Sequence, residues 1–181
     1  MGTLFPCSPG VARAMVRDLE TSGWRAAVEL GPGDGVLTQA LLEALPRRCS
    51  FTAVELSPVL SAQFRQKLPH VDLAQRDAAD LVEVCLEREI GALDAVFSAL
   101  PLKLLSHRDL QGVLDAASTM LRPGGVFAQV TYWPTAFHHG RLLREEVASA
   151  IGPIQSDRLV AGNAPPAWVF RCIKPDRSGT V

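Results

Sequence analysis

Three acidic residues and a run of glycines carry most of the chemistry legible in this chain. In Val28-Glu29-Leu30-Gly31-Pro32-Gly33-Asp34-Gly35-Val36 a short apolar run passes into a glycine-rich turn and then into a helical pattern. Glycines there let the backbone bend sharply and approach a ligand closely, and the following helix start offers unpaired N–H groups. A nucleotide-like ligand is implied. A dinucleotide fingerprint, G-x-G-x-x-G, needs its third glycine where Val36 stands; the spacing is G-x-G-x-G instead. Glu29, two positions before Gly31, repels a pyrophosphate and suits a ligand carrying cationic groups. Glu55 ends the next apolar run, about 20 residues past the loop, where a carboxylate can accept both hydroxyls of a ribose. Asp77, in Gln75-Arg76-Asp77-Ala78-Ala79-Asp80, follows the third run and can receive an exocyclic amine of adenine.

The elements that must hold these residues alternate regularly. Ser8-Pro9 reads as a helix start, with Val11, Ala12, Met15, Val16 and Leu19 on one apolar face. Strand-like runs at 26–30, 51–56, 71–73, 93–97 and 126–131 are interleaved with helical patterns at 36–45, 58–68, 81–88 and 108–121, the last behind a Ser106 cap. After a helix at 142–151, apolar runs at 159–161 and 167–173 are joined by Gly162-Asn163-Ala164-Pro165-Pro166 and predict a closing antiparallel hairpin. Such alternation implies an α/β fold with a mostly parallel, seven-stranded sheet, its last strand antiparallel, and helices on both faces. We expect one domain over 1–181: a pre-core segment and amphipathic helix at 1–23, a core at 24–174 and a loose end at 175–181.

Composition narrows the partners. With 18 Lys+Arg against 19 Asp+Glu the chain lacks the basic excess of a phosphate-tracking protein, which disfavours nucleic acid. Its 48% hydrophobic content and mean hydropathy of +0.14 fit a packed core. The longest apolar stretch, Ala95 to Leu102, is far short of the roughly 18 residues a membrane span needs and contains Ser98 and Pro101. No secretory signal is visible, so a cytoplasmic location is expected. Cys7, Cys49, Cys85 and Cys172 are scattered, with no ligand spacing, and are expected to be reduced and buried; no metal site is suggested.

The glycine loop, Glu55, Asp77 and the segment Ser98-Ala99-Leu100-Pro101-Leu102 together resemble the class I S-adenosylmethionine-dependent methyltransferases, along nearly the whole chain. The resemblance implies their Rossmann-like fold and S-adenosyl-L-methionine as cofactor, with S-adenosyl-L-homocysteine as product. It places Gly31, Gly33 and Gly35 along the methionine portion with Glu29 behind the loop. Glu55 then takes the ribose with Leu56 beside it, Asp77 and Ala78 flank the adenine, and Ser98 lies at the cofactor's edge. Gly2 to Val16, Phe97 to Leu102 and Gln129-Val130-Thr131-Tyr132-Trp133-Pro134 are similar to segments of bacterial phospholipid N-methyltransferases, which methylate the amine of phosphatidylethanolamine. Ala99 stands where those enzymes have glycine.

That resemblance implies a phospholipid or small-molecule amine as acceptor, and peripheral contact with the inner membrane face. Ala99, Leu100, Pro101 and Trp133 would shape the acceptor mouth, and Tyr132 would hydrogen-bond the amine or face a developing cation. Those relatives use a longer N-terminal helix at membranes; within this sequence Pro9 to Thr21, with Arg13 and Arg17, is the candidate for a membrane-lying helix, and its apolar face can equally pack on the sheet. Related ribosomal RNA adenine dimethyltransferases carry N-L-P-Y where this chain has Ala99 to Leu102. Neither Ala99 nor Leu102 can hydrogen-bond or stack on a flipped base. Alternatives are a small soluble acceptor, RNA adenine, or binding of the cofactor without catalysis. One of the neighbouring His138 and His139 is a further candidate general base, and Asp94 is the one candidate metal ligand within strands four to six, so no metal is expected.

Overall fold

The computed structural model describes residues 8–132 and 138–176, with 138–140 by backbone alone. Its elements run α1 (Pro9–Val16), β1 (Ala26–Leu30), α2 (Val36–Ala44), β2 (Ser50–Val54), α3 (Pro58–Lys67), β3 (Asp72–Ala74), α4 (Leu81–Glu87), β4 (Leu93–Ser98), α5 (His107–Met120), β5 (Leu121–Tyr132), α6 (His138–Ala150), β6 (Ile154–Val160) and β7 (Ala167–Ile173). Single 3-10 turns at Ala78–Asp80 and Leu102–Leu104 lead into α4 and toward α5. The sheet order is β3-β2-β1-β4-β5-β7-β6, parallel from β3 to β5, with β7 antiparallel to both its neighbours. From β1 the chain builds outward to β2 and β3, then returns to place β4 on β1's other side. That reversal opens a crevice at the carboxyl ends of β1 and β4.

Burial follows this arrangement. β1 and β4 are buried at every position, as central strands covered on both faces must be. One face carries Val28, Leu30, Val96, Phe127 and Phe170 against α4, α5 and α6; the other carries Ala27, Phe97, Ala128, Val130 and Val169 against α1 and α2. Ser57 and Ser106 cap α3 and α5 by accepting from the amides of Leu60 and Asp109.

Three local outcomes differ from the sequence pattern. β6 begins at Ile154, five residues before the apolar run, because it is the sheet's edge and alternates half-buried with exposed residues, so polar side chains interrupt its signal. Pro123-Gly124-Gly125 does not end an element: β5 starts at Leu121 and bulges there, its pairing moving from Leu93↔Leu121 to Ala95↔Val126. And α1 is not free to lie on a membrane, since Val11, Ala12, Ala14 and Met15 are buried against α2, β6 and β7. Its ends are pinned too, Ser8 N donating to Asn163 Oδ1 at 2.7 Å and the Arg171 guanidinium donating to the Arg17 carbonyl.

No helix among the described residues is long and apolar enough to cross a membrane. Cys85 and Cys172 are buried and Cys49 half-buried, and burial pushes their thiols up to about 11, 12 and 11 respectively; Cys7 lies outside the described residues.

Candidate functional site: a cofactor crevice at the carboxyl edge of the sheet

The glycine loop is laced into the sheet on both sides. Gly31 N donates to Val54 O at 2.9 Å and Ala99 N donates to Leu30 O at 3.0 Å, so the loop leaves β1 between the ends of β2 and β4. Gly31, Gly33 and Gly35 have φ of +74°, +56° and +84°, the left-handed region that side chains resist. Space is equally restrictive: a Cβ on Gly31 would lie 2.6 Å from Leu100 Cδ2, and one on Gly35 would lie 2.7 Å from Leu68 Cδ1. Leu100 therefore rests directly on the loop. Gly35 opens α2 with no side-chain cap of its own; Val36 N donates to Asp34 Oδ1 at 3.4 Å, and the first-turn amides after it are left for a ligand.

The three carboxylates stand at the ends of β1, β2 and β3. Glu29 is fully buried; its Oε2 accepts from Thr38 Oγ1, and its Oε1 has no partner among the described residues. Burial pushes its carboxyl up to about 8, the negative charge of Glu55 acts in the same direction, and the Thr38 hydrogen bond opposes both. Its unpartnered Oε1 can take a ligand's ammonium once the acid is ionised. Glu55, 8% exposed, accepts from Gly33 N through Oε2 at 3.3 Å and from Ser57 N through Oε1 at 2.9 Å. Each oxygen keeps a lone pair for a hydroxyl. Asp77 is exposed and caps its 3-10 turn, Oδ1 accepting from Ala79 N at 3.0 Å, beside buried Ala78. Leu56 projects into solvent next to Glu55. The donor set, the vacant Glu29 oxygen and the glycine cradle fit an adenosine ligand with a cationic tail.

Of the residues expected to shape an acceptor mouth, Ala99 and Leu100 are half-buried and Pro101 is exposed. Ser98, fully buried at the end of β4, has an Oγ without a partner among the described residues. Tyr132 is half-buried at the end of β5 and packs, like Ala99, on the sheet face that carries α1. Ser98 and Leu102 belong to the opposite face, so the sheet brings Tyr132 to Ala99's side of the mouth only. Trp133 lies outside the described residues, and so do the side chains of His138 and His139 at the start of α6. Asp94 has a structural role: it accepts from Arg25 N at 2.6 Å, Ala26 N at 3.0 Å and the Arg122 guanidinium at 2.6 Å, which hold it below its ordinary value against the opposing effect of burial.

Two residues were not singled out from the sequence. Gln129, fully buried opposite Ser98 on β5, donates through Nε2 to Leu100 O at 3.0 Å and so fixes the loop that covers Gly31. Lys103, in the turn after Leu102, has a buried Nζ with no partner among the described residues. A lone charge inside the apolar stretch Ala99 to Leu105 was the available signal for it.

Comparison with known proteins agrees with this geometry. A family model described as a methyltransferase domain matches residues 27–125. Over 176 residues the chain is 26% identical to the ornithine lipid N-methyltransferase of Singulisphaera acidiphila, covering 95% of this chain and 88% of that one. It is 32% identical over 128 residues to the ribosomal RNA small subunit methyltransferase A of Chlorobaculum parvum, covering 67% of this chain but only 44% of that relative. Among solved structures, the glycopeptide N-methyltransferase MtfA complexed with S-adenosyl-L-methionine matches with a TM-score of 0.74 at 16% identity, over 96% of this chain and 97% of that one. With more than half its length inside the family model, the G-x-G-x-G loop at the switch point and a cofactor crevice to match, the chain belongs to the methyltransferase-domain family and is a class I S-adenosylmethionine-dependent methyltransferase.

Proposed function

We propose that the enzyme methylates the amine nitrogen of a lipid headgroup of the phosphatidylethanolamine type. The observation that supports this most is the acceptor mouth: an apolar segment from Ala99 to Leu102, followed by Leu104, 65% exposed, in a turn that packs against α6, where Leu142 is 52% exposed. Exposed leucines beside a polar crevice suit acyl chains lying alongside while the headgroup enters. Lipid and N-methyl transfer are also what the relative matched along most of the chain is named for.

When bound, S-adenosyl-L-methionine supplies a methyl group on a positively charged sulfur, open to in-line attack. Glu29 Oε1 would hold the cofactor's ammonium, Glu55 would accept from the ribose hydroxyls, and Asp77, beside Ala78, would accept from the adenine amine. The Gly31 to Gly35 backbone would lie along the methionine portion, and Leu100, packed over Gly31, would help to exclude water there. The acceptor must arrive as a neutral amine, because an ammonium has no lone pair; Tyr132 oxygen accepts its N–H and orients the nitrogen.

A second acceptor, an adenine of ribosomal RNA, draws on the shared sequence with the Chlorobaculum parvum enzyme. Against it, Leu102 is buried and apolar, and Ala99 has no amide to read a base. Labelled-methyl transfer in one reaction containing phosphatidylethanolamine vesicles, ethylamine and 16S ribosomal RNA decides the matter. Label in lipid is expected; label confined to RNA or to ethylamine overturns the proposal.

A further inference from the structure

Four polar side-chain atoms at the carboxyl edge of the sheet are buried without a partner among the described residues: Ser98 Oγ, at the crevice where the cofactor's edge is expected, Gln129 Oε1, Trp168 Nε1 and Lys103 Nζ. Register places the first three on one face. Ser98 lies opposite Gln129 across β4 and β5, Gln129 lies opposite Phe170 across β5 and β7, and Trp168 is two residues from Phe170, hence on the same side. That face is the one α6 covers through Leu143 and Val147, and the turn carrying Lys103 packs against α6.

Such a concentration of orphans is unusual, because buried polar groups are nearly always hydrogen-bonded and buried ammonium groups nearly always paired. No carboxylate forms an ion pair with Lys103 among the described residues. Its pKa is correspondingly depressed by burial alone. Three of the four atoms are donors: an ammonium, a hydroxyl and an indole N–H. With Ser98 fully buried and Lys103 and Trp168 half-buried, the corner presents the donors that an anion would accept from. It also lies next to the methyl-transfer mouth, since the other end of the Gln129 amide holds Leu100 O, and Leu100 rests on Gly31.

We propose that Lys103, with Ser98 and Trp168 on the same side of the sheet, binds the anionic group of a zwitterionic acceptor and thereby presents its amine at Leu100 and Gly31. This rests on the amine acceptor proposed above and adds its second recognition element: a phosphate, as in phosphatidylethanolamine, or a carboxylate, as in an amino-acid headgroup. Lys103 in this role is a substrate-binding residue and takes no proton from the amine.

The test uses the full chain saturated with S-adenosyl-L-homocysteine, titrated calorimetrically with O-phosphoethanolamine and separately with L-ornithine. One headgroup is expected to bind, and which one identifies the anion. Lys103→Gln should weaken it at least tenfold, Lys103→Arg should keep most of it, and both variants should bind S-adenosyl-L-homocysteine like the parent. In turnover, Lys103→Gln should raise KM more than it lowers kcat, with a loss at least tenfold larger for the zwitterion than for ethylamine. Equal binding by parent and Lys103→Gln, or binding of neither headgroup by the parent, overturns the proposal. So does an equal loss for all amines accompanied by a shifted pH profile, which marks Lys103 as a base. Headgroup binding through Lys103 without label in vesicles refutes the lipid acceptor and leaves this assignment standing; vesicle labelling that is indifferent to Lys103→Gln does the reverse.

Discussion

Glu29→Gln separates the electrostatic cost of the cofactor site from everything else in the fold. Burial raises the Glu29 carboxyl from 4.5 to about 8, so the folded state holds a proton that the unfolded chain releases. At about 1.4 kcal/mol per pH unit, ionising it in the folded protein costs roughly 5 kcal/mol, a large fraction of a domain's net stability. The sign follows from linkage: with the folded value above the unfolded one, the stabilisation is fully present below pH 4.5 and is lost as pH rises toward 8. Glutamine keeps an oxygen for the Thr38 hydroxyl and has no charge to bury, although its NH2 would lack a partner where Oε1 stands now, at a cost of about 1–3 kcal/mol. The assay is urea denaturation of parent and variant between pH 5 and 9 without ligand, their difference isolating the contribution of Glu29. Parent stability should fall relative to Glu29→Gln across pH 5 to 8, with the variant the more stable at pH 9. A flat difference would refute the placement of a desolvated, half-satisfied carboxyl behind the loop. In the parent, affinity for S-adenosyl-L-homocysteine should rise with pH over the same interval, because an ammonium on Oε1 favours the ionised acid; in Glu29→Gln it should be level.

Glu55→Ala should lower affinity for S-adenosyl-L-homocysteine by about 100-fold, the loss of two charge-assisted bonds, while circular dichroism stays unchanged; unaltered calorimetric affinity would remove Glu55 from the ribose. Gly31→Ala puts a Cβ 2.6 Å from Leu100 Cδ2 at a φ of +74°, and should destabilise by about 1–3 kcal/mol in thermal unfolding and weaken cofactor binding; a neutral outcome would mean that the loop is looser than its packing shows. Tyr132→Phe should lower turnover about tenfold with cofactor affinity intact, and an unchanged rate would return Tyr132 to a packing role on the α1 face.

The glycine loop and the strand-end carboxylates were legible because their constraints are local. A turn that must adopt positive φ three times within five residues requires glycine at Gly31, Gly33 and Gly35, and carboxylates after successive strands are carried to one edge by parallel pairing. The acceptor half depends on which face of the sheet a residue points to and on what covers it. Tyr132 and Ser98 appear in similar motifs at strand ends, yet the pleat sends them to opposite faces, a distinction that register alone decides. Lys103 looks like any surface lysine until its turn is folded against α6. α1 has the amphipathic pattern of a membrane-lying helix and of a packed one, and only the positions of α2, β6 and β7 choose between them. β6 escaped detection for most of its length because an edge strand needs only half of its residues to be apolar.

The most direct test of the site is a crystal structure of the chain with S-adenosyl-L-homocysteine. The ligand's ammonium should lie within hydrogen-bonding distance of Glu29 Oε1, both ribose hydroxyls on Glu55, and the adenine between Asp77 and Ala78, with Leu100 still resting on Gly31. A ligand bound with its ammonium turned away from Glu29 and its ribose off Glu55 would contradict the assignment of the three carboxylates, whatever the acceptor proves to be.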